Sequence, residues 1–210
     1  MQPLSLILLH GLGADGSDMA GLAQALALPG EVRRVCPDAP RRPITLNGGY
    51  VMRGWFDILG LAPTDPVDAS GIREATTQAR AWIDAERAAG TPASRIVVGG
   101  FSQGGVVALH AALRYPEPLG AVLALSTWLP LRDELGREVH PAAKRTPIFI
   151  GHGVHDDLVR PASAERARDA LHAMGCTDVI YKTYPMAHGI SAAEVADIQA
   201  LLAARIAPTE

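Results

Sequence analysis

The sequence predicts a three-layer α/β fold, with a mostly parallel central sheet and helices on both faces. Three observations lead there. Short, unbroken apolar runs recur along the chain, the pattern of strands covered on both sides. Segments of helical period lie between them, so the order reads strand, helix, strand, helix. Hydrophobic residues make up 48% of the 210 residues and charged residues 20%, a globular and not a disordered balance.

The elements follow in chain order. Leu4 to Leu9 reads as a buried strand and Val32 to Cys36 as a weaker one. Gly71 to Ala89 reads as a helix, with Ile72, Ala75, Ala79, Trp82 and Ile83 on one stripe. Arg95 to Gly99 is the next strand, and a helix after Ser102 runs to Tyr115. Strands are expected at Ala121 to Leu125, Pro147 to Ile150 and Asp178 to Tyr184. The helix Pro161 to Met174 opens on proline and is followed by Gly175, the usual start and stop residues. The last helix, Ser191 to Ile206, begins with the capping box Ser191-Ala192-Ala193-Glu194 and a staple of Ile190 on Val195. It buries Val195, Ile198, Leu202 and Ile206.

One stretch escapes this rhythm. Residues 37–70 hold five prolines and four glycines with few periodic apolar positions. A segment this long without regular structure is commonly functional. Tyr50, Trp55 and Phe56 within it favour an ordered role at the entrance to a site. The remaining elements use nearly the whole chain. Hence we expect a single domain over residues 1–210, no separate cap, and a fairly open, shallow site.

Composition excludes several functions. Net charge is −3 with no block of like charge, against nucleic-acid binding or a polybasic membrane anchor. No apolar run reaches the roughly 18 residues of a membrane span, and the N-terminal run is not followed by a signal-peptide cleavage pattern. The two cysteines, Cys36 and Cys176, form no CxxC pair, which suits free thiols in a reducing compartment. A cytoplasmic location is expected.

Gly100-Phe101-Ser102-Gln103-Gly104 is a G-x-S-x-G motif. The pattern alone is weak, but here a strand precedes it and a helix follows. That is the setting of a nucleophile elbow, where a strained turn lifts the serine out of the backbone. No Gly-Lys-Ser/Thr follows, so it is not a phosphate-binding P-loop. A serine needs a base to take its proton and an acid to orient that base. In chains with this elbow the order is serine, acid, histidine.

Of seven histidines, His188 alone falls after the last strand, where the base belongs. His110 lies in the helix after the serine, His140 and His172 read as exposed, and His10 and His152 read as loop-shaping residues. The acid should follow the strand ending near Ile150, where Asp156 and Asp157 are both candidates. Spacing does not choose between them. An oxyanion hole also requires backbone donors. The Gln103 N–H supplies one, and Leu12, in the loop His10 to Gly16, supplies the other. Apolar residues expected near the mouth are Trp55, Trp128, Leu129, Leu158 and Met186.

Together these residues resemble the carboxylesterase/acyl-protein thioesterase (phospholipase/carboxylesterase) family of α/β-hydrolases. The resemblance rests on His10-Gly11-Leu12-Gly13, Asn47-Gly48-Gly49, Met52 to Asp57, Gly99 to Gly105, Leu125-Ser126-Thr127, His152 to Asp156 and Met186-Ala187-His188. It implies that Asp156 is the acid, and it supports Ser102, His188, Leu12 and Gln103 in the roles above. It implies hydrolysis of carboxylic esters, thioesters or lysophospholipids through an acyl-enzyme, without metal or cofactor. It further implies a small-molecule ester or acylated substrate and a monomer or homodimer. Two rival readings are a catalytically silent binding protein and another hydrolase chemistry on the same residues, such as a peptidase, C–C hydrolase or perhydrolase.

Overall fold

In the computed structural model, residues 3–60, 62 and 64–206 are described. The sheet has six strands, all parallel, built from β1 (Leu4–Leu9), β2 (Val32–Val35), β5 (Ile96–Phe101), β6 (Ala121–Leu125), β7 (Ile148–Gly153) and β8 (Val179–Tyr184). Their spatial order is β2-β1-β5-β6-β7-β8. The helices are α1 (Gly16–Ala25), α2 (Ala69–Ala88), α3 (Gln103–Leu113), α4 (Arg132–Glu138), α5 (Pro161–Ala173) and α6 (Ala192–Ile206).

Strand alternation sorts the core into two layers. Ile7, Leu9, Ile96, Val98, Val122, Ala124, Ile148 and Ile150 face α2, α3, α4 and α5. Leu4, Leu6, Leu8, Val97, Leu123 and Phe149 face the other way, onto Met19 and Leu22 of α1 and Ile198 and Leu202 of α6. The three-layer α/β-hydrolase arrangement read from the sequence is therefore present.

Local chemistry explains the helix starts. Asp15 and Asp68 accept hydrogen bonds from Ser17 N–H and Gly71 N–H at the N-termini of α1 and α2. At α6 the capping box is half made. Glu194 N–H donates to Ser191 Oγ at 3.2 Å, but neither Glu194 carboxyl oxygen finds a hydrogen-bond partner. Ile190 and Val195 both pack on the second core layer, while the Ile206 side chain and Met1–Gln2 lie outside the described residues.

The sequence reading set no bounds for α1 and missed α4 and an antiparallel hairpin. Within residues 37–70, β3 (Arg41–Ile44) pairs with β4 (Tyr50–Arg53) around a short turn. Pro43 hides strand character in β3, and a two-stranded hairpin has few apolar positions to betray it. Among the described residues no helix is long and apolar enough to cross a membrane.

Candidate active site

Ser102 occupies a strained turn between β5 and α3. Its backbone has φ 52° and ψ −116°, a conformation that side chains rarely adopt and that costs of order 1–3 kcal/mol. The surroundings hold it there. Ser102 N–H donates to Leu125 O at 2.8 Å, and Thr127 Oγ1 donates to Ser102 O at 2.7 Å. The flanking glycines are required by space. A Cβ on Gly100 would lie 2.2 Å from Gly104 C, and one on Gly104 would lie 2.2 Å from Leu9 O.

Asp156 and His188 meet from two different loops. His188 Nδ1 lies 2.7 Å from Asp156 Oδ2. The Asp156 side chain is wholly buried, whereas His188 keeps 15% of its side chain exposed. Asp156 Oδ1 accepts from Leu158 N–H at 3.0 Å and Val159 N–H at 2.8 Å, which fixes the carboxylate plane. Asp157 is exposed, so geometry separates the two neighbouring acids. The two loops are joined by His155 N–H donating to Met186 O at 3.0 Å. Ser126 Oγ adds a 3.1 Å bond to Gly189 O.

His152 stands behind the acid. Its Nε2 lies 2.7 Å from Val159 O and 3.3 Å from Asp156 Oδ2. Contact with a carbonyl assigns the proton to Nε2, and Nδ1 is left without a partner. Burial holds its pKa below the ordinary histidine value, against the opposing pull of Val159 O and Asp156. Its loop-shaping role is thus visible as closure of the 152–159 turn. The Phe101 ring packs on His188 with centroids 4.7 Å apart.

Ser102, His188, Leu12 and Gln103 all border one cavity of about 570 Å³. That volume lies within the ordinary range for small-molecule sites. Its apolar walls include Met19, Leu46, Ile58, Trp128, Leu158 and Ile190. Among the described hydrogen bonds, none joins Ser102 Oγ to His188. Such bonds are often long in unliganded sites and tighten around substrate.

Of the five apolar residues expected at the mouth, Trp128 and Leu158 line the cavity. The other three are placed elsewhere. Trp55 is 1% exposed and sits in the core behind the Leu12 loop. Leu129 is 5% exposed and belongs to the layer under α3. Met186 packs into the layer under α6. Sequence reading missed Met19, Leu46, Ile58 and Ile190, because strand and helix periodicity explain apolar residues without saying which ones border a void. Among the described residues, no group of three or more His, Cys, Asp or Glu is placed to hold a metal ion.

A parallel sheet, a serine in a strained turn at the end of β5, and an Asp–His pair after β7 and β8 define an α/β-hydrolase. Residues 3–206 match the phospholipase/carboxylesterase family, and the chain belongs to it. It is 39% identical to acyl-protein thioesterase 1 of Mycosarcoma maydis, over 94% of this chain and 89% of that protein. The crystal structure of Arabidopsis thaliana SOBER1 superposes with TM-score 0.92 at 32% identity, covering 97% of this chain and 99% of that one. Zea mays acyl-protein thioesterase 2 superposes with TM-score 0.87 at 30% identity, over 98% and 95% of the two chains.

Proposed function

We propose that the protein is a serine hydrolase that cleaves carboxylic esters and thioesters through a Ser102–His188–Asp156 triad and an acyl-enzyme. One observation carries the reading: a strained Ser102 and the bonded His188–Asp156 pair border the same apolar cavity. Membership of the family and likeness to acyl-protein thioesterases support it.

The chemistry runs in two halves. His188 takes the Ser102 proton as Oγ attacks the acyl carbonyl. Asp156 holds the Nδ1–H tautomer, leaving Nε2 to accept the proton, and stabilises the resulting imidazolium. Backbone N–H groups of Leu12 and Gln103 receive the oxyanion, each worth about 3 kcal/mol in comparable sites. The intermediate collapses, and His188 gives its proton to the departing alcohol or thiol. Water then repeats the sequence on the acyl-enzyme, releasing the acid and restoring Ser102. The apolar wall of Met19, Leu46, Ile58 and Trp128 takes a short to medium acyl chain.

The chain works as a single α/β-hydrolase domain in the cytoplasm, with residues 37–70 shaping the entrance. The free thiols of Cys36 and Cys176, both pushed up in pKa by burial, accord with a reducing compartment. The deciding experiment is a chain-length series of oxygen and thio esters, run beside fluorophosphonate labelling of the wild type and Ser102→Ala. Turnover and labelling in the wild type, both lost in the variant, are expected. Absence of labelling in folded wild type favours a silent binding protein.

A further inference from the structure

Gln103 and Trp55 carry buried hydrogen bonds that the acyl-transfer steps leave unused. The Gln103 side chain spans two adjacent residues. Its Oε1 accepts from Trp55 N–H at 2.8 Å, and its Nε2–H donates to Phe56 O at 2.7 Å. The Trp55 Nε1–H then donates to His10 O at 2.8 Å. The Trp55 ring also packs on the His10 imidazole, with centroids 5.2 Å apart.

His10 is held on both sides. Its Nε2 accepts from Ala39 N–H at 2.9 Å. That places the ring proton on Nδ1, 2.7 Å from Gly11 O. On the far side of Leu12, Gly13 N–H donates to Arg53 O at 2.8 Å. The 53–56 segment therefore grips the Leu12 loop before and after Leu12, and the Gln103 side chain grips that segment.

The two oxyanion donors sit on separate elements, one in the loop after β1 and the other at the first residue of α3. Their spacing depends on what joins those elements. We propose that the Gln103 side chain and Trp55 are positioning residues that set the distance between the Leu12 and Gln103 N–H groups, an inference resting on the acyl-transfer reading. Trp55 touches no acyl chain in this arrangement. It acts through His10 and the loop. Gln103 serves twice, its backbone as donor and its side chain as strut. Burial makes the strut stiff, because an apolar replacement strands a backbone N–H and a carbonyl away from water.

The test compares Trp55→Phe, Gln103→Met and the double variant in the full chain. Trp55→Phe keeps an aromatic ring and its own backbone N–H, and loses the bond to His10 O together with part of the indole's packing on His10 and Trp82. Three readouts are taken: kcat and KM on p-nitrophenyl butyrate, affinity for an alkyl trifluoromethyl ketone, and amide hydrogen exchange over residues 10–14. Removing a whole oxyanion donor costs about 10²–10³ in kcat, so a displaced one should cost roughly tenfold to a hundredfold. KM should stay within about twofold, since ground-state binding does not use the oxyanion donors. Affinity for the ketone, whose adduct carries the oxyanion, should fall with kcat. The double variant should lose less than the product of the singles, because both cut one brace. Loop exchange should quicken in each single.

Unchanged kcat in Trp55→Phe, or fully additive singles, would overturn the brace. A wild type that turns over no ester overturns the acyl-transfer reading instead. Loop exchange then judges the brace alone, with unchanged exchange in Trp55→Phe rejecting it and quickened exchange supporting it. Should Gln103→Met fail to fold, Trp55→Phe carries the test.

Discussion

His188 Nδ1 lies 2.7 Å from Asp156 Oδ2, and that contact commits one imidazole nitrogen to the carboxylate and leaves Nε2 outside it. Because the carboxylate accepts, Nδ1 carries the proton and Nε2 is free for the role of base in the proposed triad. Asp156→Asn puts an amide N–H or a weaker carbonyl acceptor opposite Nδ1 and disturbs that tautomer. We predict a fall in kcat of about 10⁴, as for the equivalent change in a serine protease, with the fold retained by circular dichroism. Steady-state kinetics on p-nitrophenyl acetate checks it, and a loss under tenfold would remove Asp156 from the proposed role.

Ser102→Ala removes the proposed nucleophile and leaves a side chain at the same positive-φ position, φ 52° in this chain. Hydrolysis and fluorophosphonate labelling should both disappear, with little change in melting temperature. Intact mass spectrometry after probe treatment reads the outcome.

Leu158 lines the cavity yet is 60% exposed, so its side chain can be cut without hollowing the core. Leu158→Ser should raise KM for octanoate esters by about threefold to tenfold, the effect of losing part of one apolar contact. Acetate esters should be unaffected. Equal effects on both chain lengths would place the acyl chain elsewhere.

Glu194 is 0% exposed, and burial pushes its carboxyl up to about 8, the nearby Ser191 N–H pulling weakly the other way. In the unfolded chain the same group titrates near 4.5. Between those values the folded state keeps a proton that the unfolded state has released, so stability falls as pH rises through the window. Glu194→Gln is neutral throughout. Its melting temperature should match the wild type near pH 4.5 and exceed it by about 6–16 °C at pH 8, since a carboxyl moved from 4.5 to about 8 loses about 3–4 kcal/mol over that interval. Thermal melts from pH 4.5 to 9 test this, and a pH-independent difference would contradict it.

Gly104→Ala must move something, because its Cβ would lie 2.2 Å from Leu9 O and β1 carries the Leu12 loop. Overpacking of this kind costs about 1–3 kcal/mol or more. A urea melt should show that loss, together with reduced turnover from the displaced loop.

The strands and most helices were legible because their signals are local. Four of the eight strands, β1, β5, β6 and β7, show as buried apolar runs, whereas β2 reads more weakly and β8 as an alternating strand. The elbow was legible from Gly100, Ser102 and Gly104 set between a strand and a helix. His188 stood out by chain order. The hairpin β3–β4 did not, since Pro43 and exposed residues such as Tyr50 and Val51 mask strand character.

What the sequence determined by itself was the layer architecture, the strained serine turn and a histidine in the last loop, all read from backbone periodicity and residue order. Tertiary structure decided the rest. It buried Asp156 against His188 and left Asp157 in solvent, a choice made by packing between β7 and the loop after β8. It drew Leu46 and Ile58 from residues 37–70 and Met19 from α1 to one cavity. It also moved Trp55 from the expected acyl wall to a place behind the Leu12 loop, where its indole N–H meets His10 O. Each of these is a lateral contact between segments far apart in the chain, and such contacts follow from how whole layers pack, not from any short window of residues.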